Sequence, residues 1–347
     1  MRTRLTDILE VEHPVMLAGM GGVSYSRLVA AVSEAGGFGC LGASTMSSEQ
    51  MVEEIRAVKA ATRKPFGVDL LTASSRDLGA QVQKLIDEGA NVFVAGLGVP
   101  RDVVELCHSR NVLVVNMCGK VRHAIAAVEA GCDIVVAQGT EAGGHTGQVA
   151  TLPLVPQIVD AVGDRVPVVA AGGIFDGRGL AAALALGADG VWVGTRFIAT
   201  PEARAVPGYK VTLLRLHEDE TVVSRAYTGK TCRVVRNDYT QYFEEHPDEL
   251  QPFPMQAGRA IRDGVFHLGG DEAAEVDAGR EFFPAGQGAG AIDELVPAGD
   301  LVRQFVARAQ LKQVIANVYL GGTWNRVEHY HADCYEAAGQ PYGDAKA

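Results

Sequence analysis

Glu129-Ala-Gly-Cys-Asp-Ile-Val-Val-Ala-Gln-Gly-Thr-Glu-Ala-Gly-Gly-His-Thr-Gly147 runs from a helix end, through a short apolar run, into a loop that sets four glycines around one histidine. The run Asp133 to Gln138 is short, rich in Val and free of polar alternation. That pattern marks a strand buried on both faces, as in a parallel sheet covered by helices. The phrase just before it returns twice. Glu34-Ala-Gly-Gly37 and Ala185-Leu-Gly-Ala188 also close a stretch of helical spacing and lead at once into another apolar run. Ser26 to Ala35, stopping at Gly36-Gly37 as a helix C-cap does, shows the helical half of the unit.

Outward from this joint, eight such runs predict strands: Pro14 to Ala18, Phe38 to Leu41, Phe66 to Leu71, Val92 to Ala95, Val112 to Asn116, Asp133 to Gln138, Pro167 to Ala171 and Gly190 to Gly194. Units spaced by roughly 20 to 30 residues, joined by right-handed crossovers, close into an eight-stranded parallel (β/α) barrel. The alternative, an open doubly wound sheet, places its glycine-rich phosphate turn after the first strand. Here the stronger glycine signals follow strands six, seven and eight. The expected fold class is therefore α/β, a TIM barrel over residues 1–202.

After Thr200-Pro201 the strand-helix rhythm stops. Residues 203–285 are more polar and hold Tyr209, Tyr227, Tyr239, Tyr242, Phe243 and Phe253, which reads as a smaller, mainly helical insert covering the substrate at the barrel mouth. The chain returns at Ala285-Gly-Gln-Gly-Ala-Gly290, and 286–347 reads as C-terminal helices, with an apolar stripe of Leu301, Phe305, Val306 and Ala309 facing the barrel.

Composition narrows the partners. An apolar content of 47% with only 6% aromatic residues fits a buried parallel sheet under tightly packed helices. A net charge of −11, with no stripe of Lys and Arg, excludes a nucleic-acid partner. The leading MRTRLTDILEVEHPVMLAGM carries acids where a signal peptide needs its apolar core, and no apolar run is long enough to span a bilayer. A cytoplasmic protein with no membrane partner is expected, and a homodimer is compatible with the sequence. The six cysteines lie far apart and form no C-x-x-C pair, so they read as small core residues. Glu328-His-Tyr-His-Ala-Asp-Cys334 sets His329, His331, Asp333 and Cys334 at metal-like spacing, but no second cluster completes a shell and no metal is expected.

In a (β/α) barrel the chemistry sits at the carboxyl ends of the strands, and the loops after strands seven and eight commonly hold a phosphate. Strand seven ends in Ala170-Ala-Gly-Gly-Ile174 and strand eight in Val193-Gly-Thr-Arg-Phe197. Gly172, Gly173 and Gly194 let backbone N–H groups approach an anion, and Thr195 adds a hydroxyl, so these turns read as a phosphate cup. Either glycine pair alone would serve equally as a tight turn. His145, tethered between glycines beside that cup, is the expected catalytic residue, because imidazole titrates near neutrality.

Taken together, these residues resemble the nitronate monooxygenase family, formerly the 2-nitropropane dioxygenases, itself similar to the flavin-dependent enoyl-thioester reductases. The likeness rests on Pro14-Val-Met-Leu-Ala-Gly-Met-Gly-Gly22, Ala35-Gly-Gly-Phe-Gly39, the histidine loop, Gly194-Thr-Arg-Phe-Ile-Ala-Thr200, Gly229-Lys-Thr-Cys-Arg-Val-Val-Arg-Asn237 and Ala285-Gly-Gln287. The resemblance implies FMN, with its phosphate against Gly172, Gly173, Gly194 and Thr195. Its ring would lie near Gly19, Met20, Gln138, Gly143 and Gly144, with Asp69 and Lys120 reaching the polar edge. Lys120 there would stabilise the charge of a reduced ring. Two positions depart from the family pattern: Gly19 stands where many nitronate-oxidising members carry Pro, and Asp69 where a neutral Asn is expected. An acid so placed must pair with Lys120 or point elsewhere.

The resemblance leads to an FMN-dependent oxidoreductase that oxidises small alkyl nitronates with O2, His145 meeting the nitro group. The alternative is a flavin reductase that draws on NADH or NADPH and acts on an unsaturated acyl-CoA or acyl-carrier thioester, or on a quinone. The Gly19 variant and the large insert lean toward that alternative. A flavin-free, phosphate-binding barrel is the third reading.

Overall fold

A computed structural model describes residues 1–72, 77–96, 98–271, 273–309, 313–320 and 323–331. All eight expected runs form strands: β1 Val15–Leu17, β2 Gly39–Gly42, β3 Phe66–Leu71, β4 Val92–Gly96, β5 Leu113–Cys118, β6 Ile134–Gln138, and, after a two-residue β7 at Gly144–His145, β8 Val168–Ala171 and β9 Gly190–Val193. They pair in parallel in the order β1-β9-β8-β6-β5-β4-β3-β2. The seam between β1 and β2 is closed by the Met16/Phe38 bridge, with Leu17 N–H donating to Phe38 O at 2.8 Å. The result is a (β/α) barrel.

The pleat sends alternate residues inward and outward, so the apolar runs serve two cores. Met16, Phe38, Val94, Val136 and Trp192 fill the interior, while Leu17, Leu41, Val68, Val135 and Val193 pack under the helices. The amino-terminal end is plugged by the helix Arg4–Leu9. Thr3 caps it, and Leu5 and Leu9 are buried against the interior residues. Arg4 fixes the plug by donating to both carboxylate oxygens of Asp189, just before β9. With that end stoppered, the carboxyl end is left to form a site.

The insert folds around a core of its own, built by Tyr227, Val234, Tyr239, Phe243, Ala260 and Phe282. It contains the helices Pro207–Leu213, Asp238–Glu245 and Met255–Arg262, and also an antiparallel pair, β10 Thr221–Ser224 and β11 Cys232–Val235. The returning helix Ala298–Ala309 buries Leu301, Phe305 and Val306 as its stripe predicts. Beyond it the expected C-terminal helices give way to a hairpin, β12 Gln313–Leu320 with β13 Thr323–His331. The β-branched and aromatic residues of Gln313-Val-Ile-Ala-Asn-Val-Tyr-Leu320 and Thr323-Trp-Asn-Arg-Val327 favour strand over helix. The side chains of the His329, His331, Asp333 and Cys334 stretch lie outside the described residues. Among the described residues no group of His, Cys, Asp and Glu is set to hold a metal, and no helix is long and apolar enough to cross a membrane. The described cysteines are free and buried, as small core residues should be.

Candidate active site

The carboxyl ends of the strands open into a cavity of about 490 Å³. Gly19 and Met20 line it after β1, Asp69 from β3, Gln138 from β6, Gly172 and Gly173 after β8, and Gly194 and Thr195 after β9. Gly143, Gly144 and His145 line it from the loop after β6, and Phe253, Phe266, Leu268 and Phe282 from the insert. Of the expected site residues only Lys120 is missing from the lining. It is the N-cap of the helix Val121–Ala130, at the end of β5.

The cup is shaped by Gly172 and Gly173, whose φ angles of 108° and 70° lie in the region that side chains disfavour. A Cβ on Gly172 would come within 2.6 Å of Thr151 Oγ1. A further wall of this cup comes from a turn far along the chain. Gly286 and Gly288 line it too, and Gly286 N–H donates to Thr195 Oγ1 at 3.0 Å while Gln287 N–H donates to Glu141 O at 2.9 Å. A Cβ on Gly143 would meet Gly286 N at 2.8 Å, so the two glycine loops interlock. The signal was Gly286-Gln-Gly288, visible as the place where the chain returns but not as a wall.

His145 sits in a strand, not in a free loop. β7 pairs with β11 of the insert, His145 opposite Cys232 and Gly144 opposite Arg233. Gln138 Nε2 holds the loop from below by donating to His145 O at 2.7 Å, and Arg233 holds it from the side through Thr140 O at 2.8 Å. The imidazole Nε2 lies 3.1 Å from Thr228 Oγ1, and Phe253 meets the ring edge-on at 6.2 Å. Burial, reinforced by the positive charge of Lys230, holds the His145 pKa below the ordinary imidazole value. The group is a neutral imidazole at neutral pH. Thr228 also stands 3.2 Å from Lys230 O with donor geometry. If its hydroxyl donates there, Nε2–H of His145 donates to Oγ1, and Nδ1 is left as the acceptor.

Asp69 neither pairs with Lys120 nor turns away. Its carboxyl faces the cavity, and among the described residues it has no hydrogen bond or ion pair. Desolvation pushes its pKa up to about 8. Gly19 covers it closely: a Cβ on Gly19 would stand 2.8 Å from Asp69 Oδ2 and collide with Asp69 Cβ. The two departures from the family pattern are thus one structural unit.

A glycine-walled cup joined to an apolar slot, with an imidazole, a carboxyl and an amide at its edges, fits a planar ring that carries a phosphate. A profile of the family described as nitronate monooxygenase matches residues 2–78 and 72–308. The chain is 41% identical to the (3aS,4S,5R,7aS)-5-hydroxy-7a-methyl-1-oxo-octahydro-1H-indene-4-carboxyl-CoA dehydrogenase of Mycobacterium tuberculosis, over 70% of this chain and 69% of that protein. It is 33% identical to a probable nitronate monooxygenase of Staphylococcus saprophyticus, over 74% and 84% of the two chains. Among solved structures, FabK from Thermotoga maritima superposes with a TM-score of 0.81 at 36% identity, covering 89% of this chain and 96% of that one.

Proposed function

Because the chain belongs to the nitronate monooxygenase family, we propose that it is an FMN-dependent oxidoreductase that oxidises small alkyl nitronates with O2. The observation that carries the reading is the joining, in one apolar cavity, of the glycine-walled cup and a neutral, strand-held imidazole. Gly172, Gly173, Gly194 and Thr195 would hold the phosphate, and Gly19, Met20, Gly143 and Gly144 would wall the ring. When bound, the flavin supplies the electron acceptor that passes electrons from substrate to oxygen.

The protein's own residues do the rest. His145 meets the nitro oxygens or takes a proton, and Thr228 fixes which nitrogen is free to do so. Phe253, Phe266 and Phe282 exclude water, which strengthens each polar contact inside. The ladder between β7 and β11 holds the imidazole in place before substrate arrives, so little reorganisation is needed.

A second reading is favoured by two observations: the Gly19–Asp69 unit, and the 41% identity to a protein named as a dehydrogenase of a CoA thioester. In it the aromatic insert wall receives an acyl group, and NADH or NADPH is the hydride donor. Anaerobic mixing of the FMN-loaded protein with each donor separates the two. Bleaching of the flavin by an alkyl nitronate, with NADH and NADPH inert, is the expected result. Rapid bleaching by a nicotinamide and none by the nitronate sinks the oxygenase reading, and failure to bind FMN at all leaves the flavin-free barrel.

A further inference from the structure

The turn between β10 and β11 carries, beside the Thr228 hydroxyl that fixes His145, a cation that the chemistry above does not use. Gly229 has a φ of 83°, and a Cβ on it would meet Phe253 N at 2.6 Å, so the turn is pressed against the backbone leading into the helix Met255–Arg262. The next residue, Lys230, sets its ammonium over the Phe253 ring, 4.6 Å from the centroid. That ring is the one that meets the His145 imidazole edge-on. Ammonium and imidazole thus share one aromatic wall of the cavity. Among the described residues the Lys230 ammonium makes no ion pair and no hydrogen bond.

The other charged groups on this side of the mouth are engaged. The Glu141 carboxylate accepts from Thr151 N and from Thr151 Oγ1, both at 2.8 Å. Arg233 donates to Thr140 O and Thr221 Oγ1, and Arg196 to Ala199 O and Glu294 O. Asp69 lies on β3, three strands round the sheet from β6. Lys230 alone is left uncompensated here, and its charge works against His145 as a base by disfavouring the protonated imidazole. Such a cation makes chemical sense when its partner arrives with the substrate. In a chain of net charge −11, which repels anions at long range, a local positive charge is what lets one approach.

We propose that Lys230, held over Phe253 beside His145, is the charge that determines substrate specificity: its ammonium draws a substrate carrying a negative charge to the imidazole, so that the cavity selects an ionised nitronate over the neutral nitroalkane. The inference rests on the nitronate reading for the identity of the anion, but not for the preference for an anion. Phe253 lines the cavity and Lys230 does not, so the ammonium acts by its charge across the ring rather than by contact. At that range, in a partly dehydrated site, one unit charge changes the affinity of a monoanion by about fivefold. Arginine keeps both the charge and the stacking on the ring, whereas methionine keeps the stem and loses the charge.

Two planar probes of like size and different charge test this: sodium nitrate, a monoanion, and freshly dissolved nitroethane, which is neutral. Their affinities for the purified protein are measured by titration calorimetry at pH 7.5 in wild type, Lys230→Met and Lys230→Arg. Nitrate should bind about fivefold more weakly to Lys230→Met and within about twofold of wild type to Lys230→Arg, while nitroethane should bind all three within about twofold. Raising the ionic strength from about 20 mM to about 200 mM should weaken nitrate binding in wild type and Lys230→Arg and leave it nearly flat in Lys230→Met. With an alkyl nitronate as substrate, kcat/KM should follow the nitrate series. Equal nitrate affinity in wild type and Lys230→Met overturns the proposal, as does a parallel loss of nitroethane, which would mean that Lys230 only shapes the wall. Should the nitrate series hold while no nitronate is oxidised, the selection of an anion stands and the nitronate reading falls.

Discussion

His145 and Asp69 face the same cavity, and dehydration drives their titrations in opposite directions. The imidazole moves below its ordinary value and the carboxyl rises to about 8. Burial favours the uncharged form of each. They also reach this state by different construction. His145 is held by the insert, through β11 at Cys232 and through the turn residue Thr228. Asp69 belongs to a barrel strand and is covered by a glycine fifty residues earlier in the chain. The same physical term thus prepares two opposite chemical roles, and each can be broken by itself.

The largest effect is expected from His145→Ala. Turnover should fall by about 10²- to 10³-fold, the share of a positioned acid, base or donor, while bound flavin is retained. Next comes the pH profile of kcat/KM, which should be bell-shaped. Its acid limb lies below the ordinary imidazole value, where His145 becomes protonated, and its alkaline limb near 8, where Asp69 loses its proton. Asp69→Asn should remove the alkaline limb and leave the acid limb; loss of both limbs together would show that the two groups are not independent.

The same substitution should change stability with a definite sign. The unfolded Asp releases its proton near its ordinary value of 3.8, and the folded one near 8, so the native state binds more protons throughout that window. Stability therefore falls as pH rises from about 4 to about 8 and levels off above it. In scanning calorimetry Asp69→Asn should match the wild type near pH 4 and melt about 5 °C higher at pH 8.5. Thr228→Val should be milder, lowering kcat by about tenfold with little change in KM, because it frees the imidazole to choose the other tautomer. Lys230→Met should have the smallest effect, moving the acid limb slightly upward, since Lys230 is the lesser cause of the shift.

The parts legible in the sequence were those whose signal is local. Each barrel strand announced itself as a short apolar run, and Gly172-Gly173 and Gly194-Thr195 lay where a strand end meets a helix start. Asp69 was placed near the cavity by the family resemblance, and it lines the cavity wall. What the sequence could not show was pairing across long separations. Nothing near His145 indicates that Cys232 lies opposite it, or that Gly286 closes the cup from Glu141. Gly19 and Asp69 each read as an isolated departure, because their contact appears only when β1 and β3 converge at the mouth. Lys120 was placed by counting strand ends. Strand position fixes where a backbone lies, not whether the side chain lines the cavity.

The central claim is that this cavity carries flavin chemistry with His145 at the reacting face. It is tested most directly by anaerobic stopped-flow reduction of the FMN-loaded protein, wild type against His145→Ala, with the donor that bleaches the wild type. Equal bound flavin in the two proteins, with bleaching at least about 100-fold slower in the variant, is the predicted result. Equal bleaching rates at equal flavin content would contradict it.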